Sequence, residues 1–431
     1  MFELCEQAEQ LGNRHRRGAT EFLGERVIGH VTDSERIAAA VQGHSALVRA
    51  LPVMADVPVS LVGGAVRDAL LGIPHGEDVD LVVEGDAVAL ATRLGQALNA
   101  RVVSHGRFGT AIVELPHEEW IDVAMARRER YPHPGALPVV EPGTLADDLT
   151  RRDFTINAMA YRLTGPEAGV IVDPLGGRAD LDAGLVRALR DDSFEEDPTR
   201  LLRAVRYAAR LGFALDPATD DAARRVAPTL DPTSARVGDE LRRLLREPSA
   251  PRAIAHAAEL GVPWLRADAD GLDAFATNVR ASLDAPGAPQ LAPWALLLGR
   301  AVSPEVLPRL AVDGWARGIG LEVTWADRLR HQLQSISKPS EIDEALRRAK
   351  PATVVAAHAE GAPVIGQWWS AWRQRTLQIS GEHLVAAGIS PGPGIGRGLA
   401  AARAALLDGA VGDDAEAQLA IARTAALGEG R

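Results

Sequence analysis

The segment from Val57 to Gly85, VPVSLVGGAVRDALLGIPHGEDVDLVVEG, predicts a strand, a glycine turn, a short helix and a second strand. The first strand is the mostly apolar run 59–62, and it stops at two glycines. Residues 65–71 have a helical composition and are followed by a glycine that suits a helix end. Residues 78–83 then form the second strand. We expect the rest of the chain to be organised around this unit.

Two carboxylates stand on the second strand. Successive strand side chains point to opposite faces, so Asp78 and Asp80 share one face while Val79 and Leu81 take the other. Neighbouring carboxylates repel each other and are costly to bury without a cation. Mg²⁺ prefers such hard oxygen ligands. The pair therefore predicts a Mg²⁺ site, with a solvated polar strand face as the alternative.

Length and composition limit the class of protein. A chain of 431 residues is too long for one compact core, so we expect about two to four domains. Hydrophobic residues make up 46%, without a run of membrane-spanning length, and residues 1–35 lack a signal-peptide pattern. The single cysteine, Cys5, excludes internal disulfides and fits a reducing compartment. We expect a cytoplasmic protein with no membrane partner.

Further elements follow up to residue 180. We expect helices over 34–51 and 87–98, strands over 101–104, 110–115, 120–124 and 170–175, and an irregular loop over 131–143. Asp122 lies in the middle of one strand between two apolar residues, so it points away from the apolar face. It is either a third site carboxylate or an ordinary exposed aspartate.

A charged cluster, Arg151-Arg152-Asp153, precedes an apolar run. Arginines can bind phosphate oxygens, and an aspartate can accept hydrogen bonds from hydroxyls. The cluster could serve a triphosphate and a ribose, or it could be a surface salt-bridge group at a helix start.

From residue 181 onward the pattern is helical. In the first of these helices Asp197 is a suitable N-cap and Gly212 a natural stop. Four arginines fall on one third of its circumference, namely Arg200, Arg203, Arg206 and Arg210. Like charges on one helix face repel unless they meet phosphate or carboxylate. The alternative is a solvated helix face.

Three later features stand out in the helical part of the chain. A helix over 234–246 carries Arg236 and Glu240 at the i,i+4 spacing of an ion pair. Six tryptophans between Trp294 and Trp372 could stack on bases, but in helices rich in Ala and Leu they more often fill cores. The glycine-rich turn 391–398 could hold a phosphate at a helix start or could be a tight connector.

Together these segments resemble the class II tRNA nucleotidyltransferases, a family that includes bacterial poly(A) polymerases. The resemblance covers roughly residues 58–250. It rests on five ordered motifs: Gly63-Gly64-Ala65-Val66-Arg67-Asp68, Asp78-x-Asp80, Arg151-Arg152-Asp153, Asp173-Pro174-Leu175-Gly176-Gly177, and Glu196-Asp197-x-x-Arg200 followed by Arg203 and Arg206.

The resemblance implies an α+β fold: a nucleotidyltransferase (polymerase-β-like) palm head with a small mixed sheet, followed by an all-α neck, body and tail. It implies four regions, which are an N-terminal extension over 1–33, a catalytic head over 34–180, a neck over 181–250 and a helical, tRNA-binding body and tail over 251–431.

It also implies roles for individual residues. Asp78 and Asp80 would bind two Mg²⁺, with Asp122 as a third active-site carboxylate. The remaining implied nucleotide-binding residues are Gly63, Gly64, Arg67 and Arg152 for the triphosphate, Asp153 for the ribose 2′-hydroxyl, and Asp197, Arg200, Arg203 and Arg206 on the neck helix.

Base choice follows from hydrogen-bond complementarity. Adenine and cytosine each present an amino donor beside a ring-nitrogen acceptor, which a carboxylate and a guanidinium complement. Guanine and uracil present the reverse pattern and would leave buried groups unpaired, at about 1–3 kcal/mol each. Asp197 and Arg200 therefore fit a protein template for A and C, but they cannot distinguish A from C.

The expected activity is transfer of AMP from ATP to the 3′ end of tRNA, either alone or within a full CCA sequence that also uses CTP. Two alternatives remain open: a poly(A) polymerase acting on many RNA ends, and a catalytically silent RNA-binding protein. The intact pair Asp78 and Asp80 argues against the silent protein. A P-loop is excluded because the chain has no Gly-Lys-Ser/Thr sequence.

Overall fold

The computed structural model describes residues 32–74, 78–105, 109–116, 119–130 and 139–428. The expected N-terminal extension lies almost wholly outside this part of the chain, and so does most of the expected irregular loop. The strands are β1 (Val59–Val62), β2 (Asp78–Val83), β3 (Arg101–His105), β4 (Thr110–Glu114), β5 (Trp120–Met125), β6 (Arg127–Arg130), β7 (Val139–Pro142), β8 (Ala160–Arg162), β9 (Ile171–Val172), β10 (Leu185–Val186) and β11 (Ala214–Leu215).

Helices surround the sheet and then make up most of the remaining chain. They are α1 (Asp33–Gly43), α2 (Ser45–Met54), α3 (Gly64–Leu71), α4 (Ala87–Leu98), α5 (Leu145–Thr150), α6 (Gly177–Ala183), α7 (Ser193–Glu196), α8 (Thr199–Leu211), α9 (Pro217–Val226), α10 (Ala235–Leu245), α11 (Ala250–Glu259), α12 (Ala269–Leu283), α13 (Pro293–Ala301), α14 (Gly314–Val323), α15 (Ala326–Gln334), α16 (Pro339–Arg348), α17 (Pro351–Ala359), α18 (Val364–Gln367), α19 (Gly381–Ala386), α20 (Pro393–Leu407) and α21 (Ala415–Leu427).

The head is built on a mixed sheet in which the described strands follow the order β3-β4-β5-β2-β1-β8-β9. Strands β2 and β5 are parallel, and the other neighbouring pairs are antiparallel. This mixed sheet, followed by a helical remainder, confirms the expected α+β fold class.

The two faces of the sheet have different surroundings. On one face Val79 and Leu81 belong to the main core together with Leu94 of α4. On the other face Val82 packs with Leu145 and Leu149 of α5 in a smaller cluster. The alternation predicted for β2 is therefore confirmed, and it places Asp80 on the face of the smaller cluster.

The tail has a hydrophobic cluster of its own, formed by residues between Ile379 and Ala426. A Cβ on Gly394 would lie 3.0 Å from the carbonyl oxygen of Ala426, and a Cβ on Gly398 would lie 2.5 Å from that of Ala422. These glycines therefore allow α20 and α21 to pack closely, which accounts for them without a bound phosphate.

The tryptophans of the helical region differ in their burial. Trp368 and Trp369 are buried in the main core, as core fillers are. Trp315 and Trp325 are more than half exposed, at 53% and 56%, so they do not fill the core. The expectation of core tryptophans therefore holds for only some of them.

Three expected elements differ in the structure. The single helix over 34–51 is wrong: α1 and α2 meet at a bend of 101° at His44, whose backbone is extended and whose ring accepts a hydrogen bond from the Leu47 amide. The end of the expected irregular loop forms β7, because it pairs with β6. Two short parallel strands, β10 and β11, lie where only helices were expected.

Among the described residues, no single helix is both long and apolar enough to cross a membrane. The sharply bent pair α1 and α2 reaches that length and composition only when the two helices are taken together.

Candidate active site

A cavity of about 410 Å³ lies between the β2–β5 face of the sheet and helix α8. Predicted site residues from both sides line it: Gly63, Gly64, Asp80, Asp122, Arg152, Asp153, Asp197, Arg200 and Arg203. Residues separated by more than a hundred positions in the sequence thus share one cavity.

The carboxylates come from two neighbouring parallel strands. In the β2–β5 register Asp80 lies directly opposite Asp122, so their side chains project from the same face. Asp80 is exposed and Asp122 is half-buried at the cavity. Asp78 is two positions earlier on β2, and its side chain lies outside the described part of the structure.

Carboxylate oxygens of this kind are the ligands that Mg²⁺ prefers. The described residues contain no group of three or more His, Cys, Asp or Glu side chains arranged to hold a metal. That finding does not include the side chain of Asp78. The described carboxylates of Asp80 and Asp122, side by side on one face, fit a divalent cation by their chemistry.

Gly63 joins the strand to helix α3 and lies at the centre of the site. Its φ of +71° favours glycine. A Cβ there would lie 2.8 Å from Nη1 of Arg152 and 3.9 Å from Oδ2 of Asp80. The absence of a side chain thus lets a guanidinium and a carboxylate approach the backbone at the start of α3.

Arg152 is held in place by an aspartate that the sequence interpretation overlooked. Fully buried Asp148 on α5 accepts hydrogen bonds from Arg151 at 2.5 Å and from Arg152 at 3.0 Å. The spacings are i,i+3 and i,i+4, so a search for such pairs would have found Asp148.

Asp153 is buried at the base of the cavity. Its Oδ1 accepts a hydrogen bond from the side-chain amide of Asn157 at 3.2 Å, and its Oδ2 accepts one from Arg203 at 3.0 Å. Burial alone would raise the pKa of Asp153, but Arg203, Asn157 and Arg200 outweigh it and hold that pKa below its ordinary value. The group is therefore ionised at neutral pH.

The arginine stripe of α8 meets carboxylates, as one of its two interpretations expected. Arg203 bonds Asp153 and lies 3.6 Å from buried Glu240 on α10. Arg206 donates to Glu240 at 2.7 Å and to Glu247 at 2.9 Å. Arg210, the last of the four, lies 3.6 Å from Asp68. The stripe is thus tied both to the head, through Asp153 and Asp68, and to α10, through Glu240.

Among the predicted site residues whose side chains the structure describes, two do not line the cavity. Buried Arg67 donates to Asp68 at 2.8 Å and to Asn157 at 2.6 Å. Arg206 is directed toward α10, and the guanidiniums of Arg67 and Arg206 both lie over the ring of Tyr207, at 5.2 and 4.7 Å from its centre. Tyr207 itself lines the cavity and was not predicted.

The base-template candidates Asp197 and Arg200 are both buried at the cavity, each about 5% exposed. Oδ1 of Asp197 accepts from the amide and the hydroxyl of Thr199, at 3.1 and 2.6 Å. Oδ2 of Asp197 accepts from Arg236 at 2.5 Å. Arg200 donates to the Ser193 hydroxyl at 2.7 Å.

The contact of Arg236 differs from the expected pairing. Arg236 and Glu240 have the spacing of an ion pair on α10, yet each reaches a different partner on or before α8. No local pattern indicates the contact with Asp197, because the two residues are far apart in the sequence.

Comparison with known proteins places this site in context. A family model described as the poly A polymerase head domain matches residues 59–187. A CC-adding tRNA nucleotidyltransferase of Deinococcus radiodurans is 34% identical over 346 residues, which cover 80% of this chain and 83% of that protein. The Thermotoga maritima CCA-adding enzyme, solved in complex with tRNA, has a TM-score of 0.71 and 25% identity, covering 89% of this chain and 97% of its own.

An A-adding tRNA nucleotidyltransferase of Halalkalibacterium halodurans is 44% identical over 180 residues, which cover 42% of each chain. The chain spans less than half the length of three A-adding relatives that it matches, at 24%, 42% and 19% of each. Its likeness to the Deinococcus protein, in contrast, extends along most of both chains. The chain therefore belongs to the tRNA nucleotidyltransferase family.

Proposed function

We propose that this protein transfers AMP from ATP to the 3′ end of tRNA, alone or as the last step of CCA addition. One observation carries the proposal: a single cavity joins the strand carboxylates Asp80 and Asp122 to the buried pair Asp197 and Arg200. The carboxylates suit the cation-bound triphosphate of a nucleotide, and the pair of Asp197 and Arg200 suits the hydrogen-bonding edge of its base.

Asp78, Asp80 and Asp122 would hold Mg²⁺ on the face of β2 and β5. When bound, Mg²⁺ would lower the pKa of the attacking 3′-hydroxyl and neutralise charge on the triphosphate. Without a bound cation, the carboxylates of Asp80 and Asp122 would repel both the negatively charged triphosphate and the RNA end. Their position is therefore best explained by a cation-dependent phosphoryl transfer.

The other residues of the head would bind and orient the nucleotide. Arg152, fixed by Asp148, directs its guanidinium to the backbone of Gly63, where a phosphate could approach the first amides of α3. Ionised Asp153 would accept a hydrogen bond from the ribose. The 3′-hydroxyl oxygen then attacks the α-phosphorus in line, the bond to the β-phosphate oxygen breaks, and pyrophosphate leaves.

The neck would select the base. Asp197 would accept from the amino group of adenine or cytosine, and Arg200 would donate to the neighbouring ring nitrogen. Both groups are buried, so guanine or uracil would leave their remaining hydrogen-bonding positions unsatisfied in a place that water does not reach freely. This supports selection of A and C without an RNA template.

An incorporation assay tests the proposal. Purified protein with Mg²⁺ is given labelled ATP or CTP and tRNA that ends at the discriminator base, at C, at CC or at CCA. Incorporation of A on the CC-ending tRNA is the expected result, and addition of C before A would extend it to the full CCA sequence. Long A tracts on unrelated RNA would instead indicate a poly(A) polymerase. No incorporation on any tRNA would overturn the proposal.

A further inference from the structure

Helix α10 approaches the cavity from behind the base-template residues. Arg236, in its first turn, donates to Oδ2 of Asp197 at 2.5 Å. The side chain of Asp197 is only 7% exposed, whereas that of Arg236 is 50% exposed. A half-exposed arginine therefore reaches inward to a buried carboxylate. None of the functions assigned above to the cavity uses this contact.

We propose that Arg236 is a specificity-determining positioning residue: it holds the carboxylate of Asp197 in the orientation in which it accepts a hydrogen bond from the incoming base. The inference rests on the proposed function, because it concerns the nucleotide that the same cavity selects. Arg236 acts through Asp197 and need not touch the nucleotide itself.

The hydrogen bonds of Asp197 explain why a further partner matters. Oδ1 already accepts from two groups of Thr199, so its two lone pairs are occupied. Oδ2 is left for the base. Arg236 takes one lone pair of Oδ2 and leaves the other for an amino group. With both oxygens held, the carboxylate plane is fixed before the nucleotide arrives.

The fixed carboxylate also bears on the choice of base. Guanine and uracil present a carbonyl oxygen where adenine and cytosine present an amino group, so they offer no donor to the remaining lone pair of Oδ2. By holding that acceptor in place, Arg236 favours adenine and cytosine over guanine and uracil.

The position of Arg236 depends on a buried glutamate, Glu240, one turn later on the same helix. Glu240, 2% exposed, accepts from Arg206 of α8 at 2.7 Å. That contact fixes α10 against α8, so Arg236 reaches Asp197 from a rigid element. Arg236 thus contacts Asp197, just before α8, while Glu240 contacts Arg206 within α8.

The test compares Arg236→Ala, Arg236→Gln and Arg236→Lys with wild type, and Arg242→Ala serves as a control. Arg242 is on the same helix but pairs with Asp239 and Asp313 at the surface, so its loss removes the same charge away from the cavity. Steady-state incorporation of ATP, CTP, GTP and UTP on tRNA gives kcat and KM for each, and thermal unfolding is measured in parallel.

The Ala and Gln variants are expected to raise KM for the correct nucleotide and to lower its preference over GTP by about tenfold, the effect of losing one charge-assisted hydrogen bond. Arg236→Lys restores most of the preference, and Arg242→Ala leaves it unchanged. A purely structural role would lower kcat for all nucleotides together and would not change their ratio.

Two failures are distinguishable. If wild type incorporates no nucleotide, the proposed function itself fails. If wild type selects its nucleotide and the Ala and Gln variants select it equally well, with unchanged KM, only the role of Arg236 is overturned.

Discussion

The two ends of the cavity are constructed in different ways. At the sheet end, Asp80 and Asp122 are brought together by backbone register, since they are direct neighbours on parallel strands. At the neck end, Arg203 and Arg206 are held by side-chain pairs with Asp153 and Glu240 from distant parts of the chain. Replacing a sheet-end carboxylate should therefore affect chemistry more than folding, whereas the neck end carries both base selection and stability.

The largest effect is expected from Asp80→Asn, which keeps the shape of the side chain and removes the charge that a cation needs. Incorporation should fall by about a thousandfold or more, or about 4 kcal/mol of transition-state stabilisation. Because β2 is fixed by register, the free energy of unfolding should change by less than about 0.5 kcal/mol. Single-turnover incorporation and urea unfolding measure the two quantities. Activity within tenfold of wild type would contradict the assignment of the sheet end.

The neck end should respond in the opposite way to Glu240→Ala. Glu240 is buried between Arg203, Arg206 and Arg243, at 3.6, 2.7 and 3.5 Å. Its removal leaves the mostly buried guanidiniums of Arg203 and Arg206 short of an anion and should destabilise the protein by about 3 kcal/mol.

The midpoint of urea unfolding measures this effect. Glu344→Ala is the matched control, because Glu344 pairs with Arg348 on the surface of α16, and exposed pairs contribute about 0.5 kcal/mol or less. Equal losses of unfolding free energy in the two variants would show that burial does not increase the contribution of Glu240 to stability.

The difference between the two ends also explains how far the sequence alone could predict the site. The face of Asp80 and the extent of α3 follow from local periodicity and a glycine stop, and both were predicted correctly. That Asp122 is the direct neighbour of Asp80 depends on which strands pair, and alternation within one strand does not specify this.

At the neck end, sequence spacing was less informative. The i,i+4 rule points Arg236 toward Glu240, but tertiary contacts give each residue a different partner. The rule would have succeeded for Asp148 and Arg152, where helix α5 and the turn after it bring the two together. Local spacing thus identifies pairs within one turn of helix, while pairs between α8, α10 and the head require the fold.

A third substitution, Gly63→Ala, tests the junction between the two ends. The new methyl group would lie 2.8 Å from Nη1 of Arg152, at a φ that L-residues rarely adopt. We expect a loss of about 2 kcal/mol in unfolding free energy and a higher KM for ATP, because Arg152 must move. Gly72→Ala is the control, since Gly72 has a similar φ of +68° with nothing within 4 Å. Gly72→Ala should lower the unfolding free energy by about 1 kcal/mol and leave the KM for ATP unchanged.

The smallest effect is expected from Asp153→Asn, and it depends on pH. Arg203, Asn157 and Arg200 lower the pKa of Asp153 in the folded state against the opposing effect of burial. A lowered native pKa stabilises the fold at pH values above the unfolded pKa of about 4, and this contribution is lost as pH falls through the native value.

Asp153→Asn should therefore be less stable than wild type by about 1 kcal/mol at pH 7, and the difference should shrink as the pH is lowered from 5 toward 3. Urea unfolding of both proteins at each pH gives the difference directly. A gap that stays constant, or that widens at low pH, would mean that the charge of Asp153 does not stabilise the fold. In that case the ion pair with Arg203 would serve only to shape the cavity, and the neck end would depend for its stability on Glu240.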